Sequence, residues 1–482
     1  MPAINQPRCP GTFSFPGHLR QSNTALLLVA LVMVLLIDRD NRAHGSAPNI
    51  VLIMADDMGY ECVSANGSTT YKTPHIDKLA AQGIRFTNCH SQPICTPSRV
   101  QIMTGVYNNR NYVRFGLLDP RATTFANLLQ RAGYATCIAG KWQLRGGMKG
   151  PNRFGFDEYC LWQLTRRPSR YPNPGLEVNG KTVDYTKGEY GPDVVSDYLC
   201  DFIERHKKGP FLAYYPMMLP HWPFEPTPES ADYDKQAKGR SGIGEKKYFG
   251  DMVAYTDKMV GKVVAKLDAL GIRQETLVIF TCDNGTYTGI TSKLGERSIR
   301  GGKGSPKDNG THVPLVISRP GSVAKGKVSD ALVDFSDILP TLTEFAGAKI
   351  PDELNLRGVS LGPLLRGEPF SGRKQIYCWY ERNGRRGRAS QHTRDRLYKL
   401  YSTGKFYHVV DDFSEASPLA PRSLTSEARS SYDRLKSALE LELIVTAKAT
   451  TELRKRGPGS KKSGAEKNKK QRKKKPAAST GL

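Results

Sequence analysis

The residues of this chain that could do chemistry sit at the ends of two apolar runs and at the start of one helical pattern. Asp56-Asp57 follow Ile50–Met54, and Asp283-Asn284 follow Leu277–Phe280. Apolar runs without polar alternation read as strands covered on both faces. Open α/β sheets bind ligands just beyond the carboxyl ends of such strands. Three carboxylates and a carboxamide gathered there repel one another unless a cation neutralises them, and oxygen-only donors suit a hard ion such as Ca²⁺ or Mg²⁺. Asp57 and Asp283 could instead cap the turns that follow. One pair alone fits capping better; two pairs at equivalent strand ends fit a cation better.

The segment Pro93-Ile-Cys95-Thr-Pro-Ser-Arg99, continuing to Thr104-Gly105, begins as a turn and becomes helical. Cys95 then lies at or just before a helix N-terminus, where free N–H groups and the dipole favour an anion. Arg99 follows one turn later on the same side. The pattern is an anion site with a reactive atom in it, whereas a bare Cys-x-Pro would read as a buried structural cysteine.

Cys-x-Pro-Ser-Arg with a following Thr-Gly resembles the maturation and active-site motif of the sulfatase family. Gly133-Tyr134-Ala-Thr136 through Gly140-Lys141-Trp142 resembles that family's second motif, and the resemblance runs from Pro48 to about Leu443. It implies that a separate enzyme oxidises Cys95 to formylglycine, whose hydrated aldehyde attacks sulfur with one hydroxyl and collapses with the other to release sulfate. It further implies one Ca²⁺ held by Asp56, Asp57, residue 95, Asp283 and Asn284. Arg99, Lys141 and Lys303 match the family's sulfate-binding cations, and His221 matches its leaving-group acid. His312 is expected to support a neighbouring ligand. Where the family commonly has His after Gly-Lys-Trp, this chain has Gln143, which can hydrogen-bond a diol but cannot take its proton at neutral pH. The implied activity is hydrolysis of a sulfate ester on a small molecule or polysaccharide. Two rival readings are a phosphate or phosphonate ester hydrolase of the same superfamily and a non-catalytic module that binds anionic polysaccharide.

These residues need a scaffold, and 482 residues with 38% hydrophobic content can bury one. Further strands are expected at Ala135–Ala139, Phe211–Tyr215 and Pro314–Ser318. Helices are expected at His75–Gln82, Thr124–Ala132, Asp193–His206 and Met252–Leu270. The alternation implies an α/β fold with a large, mostly parallel central sheet flanked by helices. Past residue 370 the texture changes to short strands (Gln375–Tyr380, Leu397–Tyr401, Phe406–Val410) and one helix, Ser426–Leu443, a smaller α+β subdomain. The expected organisation is therefore an export segment over 1–45, a catalytic domain over 46–370, the subdomain over 371–453 and a disordered basic tail over 454–482.

Ala25–Ile37 is an uncharged run of thirteen residues, short of the roughly 20 needed to span a bilayer, with small residues at Ala43-His44-Gly45. It reads as a signal peptide or, if uncleaved, as an N-terminal anchor, the chain's only expected membrane contact; either way the body is exported. The net charge is +25, but the tail alone holds 12 Lys or Arg against one acid, Glu466. The rest is moderately basic and carries no nucleic-acid-binding motif, so specific nucleic-acid recognition is not expected. Nine cysteines are too few for a disulfide scaffold, and no pairing is assigned. Arg166, Arg167, Arg170 and Tyr171, in one of the loops expected to set specificity, are candidates for a second anionic group or for plain surface.

Overall fold

The computed structural model describes residues 11, 47–237 and 244–455, with side chains to residue 452. The expected export segment and the expected disordered tail beyond 455 lie outside the described residues. Among the described residues no helix is long and apolar enough to cross a membrane.

Everything described from Ala47 on belongs to one compact unit. Its centre is a ten-stranded sheet. In chain order the strands are β1 (Asn49–Ala55), β2 (Ile84–His90), β3 (Ala135–Lys141), β4 (Glu158–Trp162), β5 (Gly175–Val178), β6 (Lys181–Asp184), β7 (Phe211–Pro216), β8 (Thr276–Cys282), then the separate hairpin β9 (Thr291–Leu294) and β10 (Arg297–Arg300), and β11 (Leu315–Ser318) and β12 (Lys327–Asp334). Their spatial order is β12-β2-β11-β8-β1-β7-β3-β4-β5-β6. The block β8-β1-β7-β3-β4 is parallel throughout, while β11, within the sheet, and β5, near its far edge, each run against both of their neighbours. β1, β7 and β8 are buried at every residue, which is why their sequences lack alternation. Helices Pro74–Ala81, Phe125–Arg131, Gly191–Arg205 and Phe249–Ala269 pack around this sheet, each within a few residues of its expected range.

β13 (Ile376–Tyr380), β14 (Ser390–Arg394), β15 (Tyr398–Tyr401) and β16 (Phe406–His408) form an antiparallel sheet against the helix Ser426–Lys455. That helix runs twelve residues past its expected end. Beyond Leu443 it is still packed: Thr446 lies against Asn109 and Tyr377, and its hydroxyl bonds to the Glu442 carbonyl. A buried ionic seam ties this sheet to the large one. Asp308 accepts from Arg394 at 2.8 Å and from Lys399 at 2.7 Å, and Lys399 also reaches Glu415 at 2.7 Å. The seam anchors the loop that carries Lys303.

Three histidines line the seam, His90 and His392 buried and His312 partly so. Burial, followed by the charges of Arg394 and Lys399, holds His90 and His392 well below the ordinary imidazole range; burial and Arg394, opposed by Asp308, bring His312 down to about 4. These groups fold neutral, so as pH falls the unfolded chain takes protons first. Their contribution to stability is whole above about pH 6.5 and is lost progressively toward about pH 4, at about 1.4 kcal/mol per pH unit for each histidine. Urea unfolding across that range is expected to show this loss, and His312→Gln is expected to make it shallower. All eight described cysteines are free and buried.

Candidate active site

Four neighbouring parallel strands, β8, β1, β7 and β3, end at the same edge, and their continuations supply most of the candidate residues. Ala55 is in register with Cys282, so Asp56-Asp57 and Asp283-Asn284 leave the sheet side by side. All four are fully buried. Asp57 adopts a left-handed backbone (φ 71°), one of few residue types that does so at modest cost. Its N–H lies 3.3 Å from Asp283 Oδ1, and Asn284 Nδ2 donates to Asp57 Oδ1 at 2.8 Å. Asn284-Gly285-Thr286 also matches a glycosylation sequon, but a fully buried side chain has no room to carry a glycan.

Lys141 closes β3. The preceding Gly140 has φ 132°, and a Cβ there would fall 2.0 Å from the Pro216 carbonyl oxygen of β7. Only glycine permits that approach, which sets Lys141 Nζ 2.5 Å from Asp56 Oδ2. Lys303 comes from the loop after the β9–β10 hairpin, with Nζ 2.6 Å from Asp57 Oδ2. Backbone bonds fasten that loop to its neighbours in the site: Lys303 N–H donates to Thr286 and Gly304 N–H to Pro93.

Cys95 opens the helix Cys95–Thr104, and Sγ lies 3.5 Å from Asp56 Oδ1. Burial, then the negative charge of Asp283, pushes its thiol up to about 12. The encoded cysteine is therefore a thiol at neutral pH and a poor nucleophile. One turn on, Arg99 binds Asp283 Oδ2 through Nε (3.2 Å) and Nη2 (2.9 Å) and the Lys141 carbonyl through Nη1 (3.1 Å). Burial raises the Asp56 carboxyl, but Lys141, His221, Arg99 and Lys303 together hold it well below the usual range. Its neighbour Asp283 goes the other way, to about 7, through burial and the Asp56 charge against the pull of Arg99.

His221 lies on the loop after β7, with Nε2 3.7 Å from Asp57 Oδ2. Burial and Lys303 lower its proton affinity. Gln143 is also left-handed (φ 59°), and its Oε1 accepts from the hydroxyl of Thr96, beside Cys95, at 3.2 Å. His312 stands apart from this group: its ring stacks on Tyr60 and His90, and Nε2 donates to the Thr87 carbonyl. It supports the seam rather than a metal ligand. Tyr171 is not surface; its hydroxyl lies 2.9 and 2.6 Å from the carbonyls of Met218 and His221 and fastens that loop.

Sequence reading missed Glu61. Its buried carboxylate accepts from Thr286 Oγ1 at 2.6 Å, while the same hydroxyl accepts from Gly59 N–H at 2.9 Å, locking together the loops that follow β1 and β8. A three-residue turn has no periodicity to announce such a residue.

Acidity by itself turns out to be weak evidence for a metal, because Arg99, Lys141 and Lys303 already balance the three carboxylates. A better indication is Asn284 Oδ1, which is buried and accepts no hydrogen bond. An orphaned amide oxygen beside three carboxylates is a donor set for a hard cation. Ligand atoms of Asp56, Asp57, Cys95 and His221 also lie within 4.8 Å of one another.

The sulfatase family pattern matches residues 48–348, and that of the "N-sulphoglucosamine sulphohydrolase, C-terminal" family matches 306–444. The chain is 33% identical over 374 residues to arylsulfatase A of Bos taurus, covering 70% of this chain and 71% of that protein. It is 29% identical to an N-acetylgalactosamine-6-O-sulfatase of Bacteroides thetaiotaomicron, covering 70% and 80%. The crystal structure of Ps i-CgsB superposes with a TM-score of 0.69 at 28% identity, over 81% of this chain and 92% of that one. A phosphonate monoester hydrolase of Agrobacterium radiobacter shares the fold (TM-score 0.60, 22% identity, over 82% and 96%). The first of these matches takes in every site residue from Asp56 to Lys303, and on that ground this chain belongs to the sulfatase family, whose members are sulfuric ester hydrolases.

Proposed function

We propose that this chain hydrolyses a sulfate ester to an alcohol and inorganic sulfate, with Cys95 converted to formylglycine by a separate maturation enzyme and one Ca²⁺ held by Asp56, Asp57, Asp283, Asn284 and residue 95. The observation that carries this reading is the burial of Cys95 Sγ 3.5 Å from Asp56, inside a ring of three carboxylates and three fixed cations. A thiol pushed up to about 12 is unsuited to attack sulfur itself, which favours a modified side chain. As a hydrated aldehyde that side chain supplies an oxygen nucleophile, and a bound Ca²⁺ supplies Lewis-acid polarisation.

The chain's own residues do the rest. Lys141 and Lys303 turn from the outer carboxylate oxygens they now hold toward the oxygens of an entering sulfate, where fixed cations stabilise developing charge. Arg99 is tied on both sides and orients Asp283 and the end of β3. His221 presents Nε2 toward the same space and holds the proton destined for the leaving oxygen. Gln143, fixed by Thr96, orients residue 95 but takes no proton. Gln143→His is accordingly expected to raise kcat while leaving kcat/KM unchanged, because only steps after alcohol departure gain a base; initial-rate kinetics check it.

Paired aryl sulfate and aryl phosphate substrates test the reaction class in the matured protein. A higher kcat/KM for sulfate is expected; preference for phosphate supports the rival hydrolase, and binding without turnover supports the non-catalytic module. Sulfated saccharides fit as substrates, since one structural relative, the Ps i-CgsB structure (TM-score 0.68), was solved with k-i-k-neocarrahexaose. Export through residues 1–45 completes the reading.

A further inference from the structure

Arg170 is an arginine that has no counter-ion among the described residues and is built into the wall of the site. It is 7% exposed, on the segment that returns after β4. Its guanidinium stacks on the face of Trp162, 3.9 Å from the ring centroid, and Trp162 is itself held by an Nε1 bond to the Pro168 carbonyl. The backbone is equally constrained. A Cβ at Gly191 would lie 1.9 Å from the Arg170 carbonyl oxygen, and Gly191 N–H donates to the Tyr171 carbonyl. Arg166, four residues earlier, is ordinary by comparison, being paired with Asp184 and Glu177.

Among the described residues no carboxylate lies within ion-pair distance of Arg170, and its only acceptor is His221 Nδ1, 3.0 Å from Nη1. That nitrogen also lies 2.5 Å from the Trp222 carbonyl. Neither a histidine ring nitrogen nor a carbonyl brings a negative charge, so these contacts leave the guanidinium's charge unanswered. A rigid, desolvated cation left in that condition is costly and calls for an anion. The His221 ring separates Arg170 from Asp57, which puts the missing anion on the side of the departing alcohol. The planar guanidinium fork matches a carboxylate or sulfate.

We propose that Arg170 binds a second oxyanion carried by the alcohol part of the substrate, a carboxylate or another sulfate close to the scissile ester. The inference rests on the sulfate-ester reading above and narrows its substrate to dianionic esters.

The test uses matched aryl sulfates: phenyl sulfate with an ortho or meta carboxylate against its methyl ester, and catechol bis-sulfate against catechol monosulfate. Comparing wild type with Arg170→Gln cancels intrinsic differences in leaving-group reactivity. The preference for the dianionic member, read as a kcat/KM ratio, is expected to fall on the order of 10- to 100-fold in Arg170→Gln. Arg170→Lys is expected to keep part of it. The carboxylate and bis-sulfate arms tell the two anions apart. An equal loss on both members of each pair, with the ratios unchanged, marks a merely structural arginine and overturns the proposal. So does a wild-type protein that shows no preference in either arm, whether or not the variants fold. If no aryl sulfate is turned over at all, the hydrolase reading fails instead. Calorimetry then decides on Arg170: tighter binding of the dianionic ligands, lost in Arg170→Gln, upholds its role, and equal binding ends it.

Discussion

Cys95→Ala is expected to lower kcat on an aryl sulfate by at least about 10⁴-fold, because it removes the atom from which the nucleophile is made. The fold should tolerate the change. The residue opens its helix, and loss of one buried sulfur costs about 1 kcal/mol, far less than removal of a large core side chain. Mass spectrometry of the tryptic peptide Phe86–Arg99 supplies the chemical half of the experiment. The peptide contains both Cys89 and Cys95, so it carries its own control. In matured protein residue 95 is expected to have exchanged sulfur for oxygen and lost two hydrogens, while Cys89, buried on β2, still alkylates as a thiol. A protein that hydrolyses sulfate esters with two intact thiols in this peptide would refute the formylglycine reading.

Chelation of divalent ions is expected to lower turnover by at least about 10³-fold, in line with several kcal/mol of charge stabilisation by a Lewis acid. Added Ca²⁺ should restore activity. It should also stabilise the fold by about 2.7 kcal/mol when present at about 100 times its Kd, visible as a rise in Tm. Asp57→Ala is expected to lose both responses. Its carboxylate accepts from Lys303 and from Asn284 Nδ2, so the substitution frees the lysine and leaves the orphaned Asn284 oxygen without a co-ligand. A Ca²⁺-dependent rise in Tm that survives Asp57→Ala intact would place the ion elsewhere. The geometry also explains why the protein can fold before any ion binds. Lys141 and Lys303 lie against Asp56 and Asp57 at 2.5 and 2.6 Å, so the buried acids are never left uncompensated.

The scaffold's role follows from what each element holds in place. β1 and β8 bring two acidic pairs together by register, Gly140 lets β3 come close enough for Lys141 to reach Asp56, and the ionic seam around Asp308 holds the loop of Lys303. The C-terminal sheet thus acts on the site through position, and the loss of that seam should be felt at Lys303 first.

Buried strands such as Ile50–Met54 and Leu277–Phe280 are legible in the amino-acid sequence because full burial removes every polar residue from a contiguous stretch. The helix at Cys95 is legible because turn and helix signals are local. β2, the β9–β10 hairpin and β14 are not legible, since half-buried or edge strands mix polar and apolar residues and their identity rests on partners far along the chain. The residue types of the site, Asp56, Asp57, Cys95, Arg99, Lys141, His221, Asp283, Asn284 and Lys303, could be named from spacing and motif. Their pairings could not. That Lys141 answers Asp56 and Lys303 answers Asp57, that Glu61 is locked to Thr286, and that Arg170 lies against His221 with no acid beside it among the described residues were decided only when strands far apart in the chain were laid edge to edge. Local sequence sets which side chains are available and which backbone they ride on. Distance and compensation of charge between them belong to the tertiary fold, because electrostatic partners are chosen by proximity in space and not along the chain.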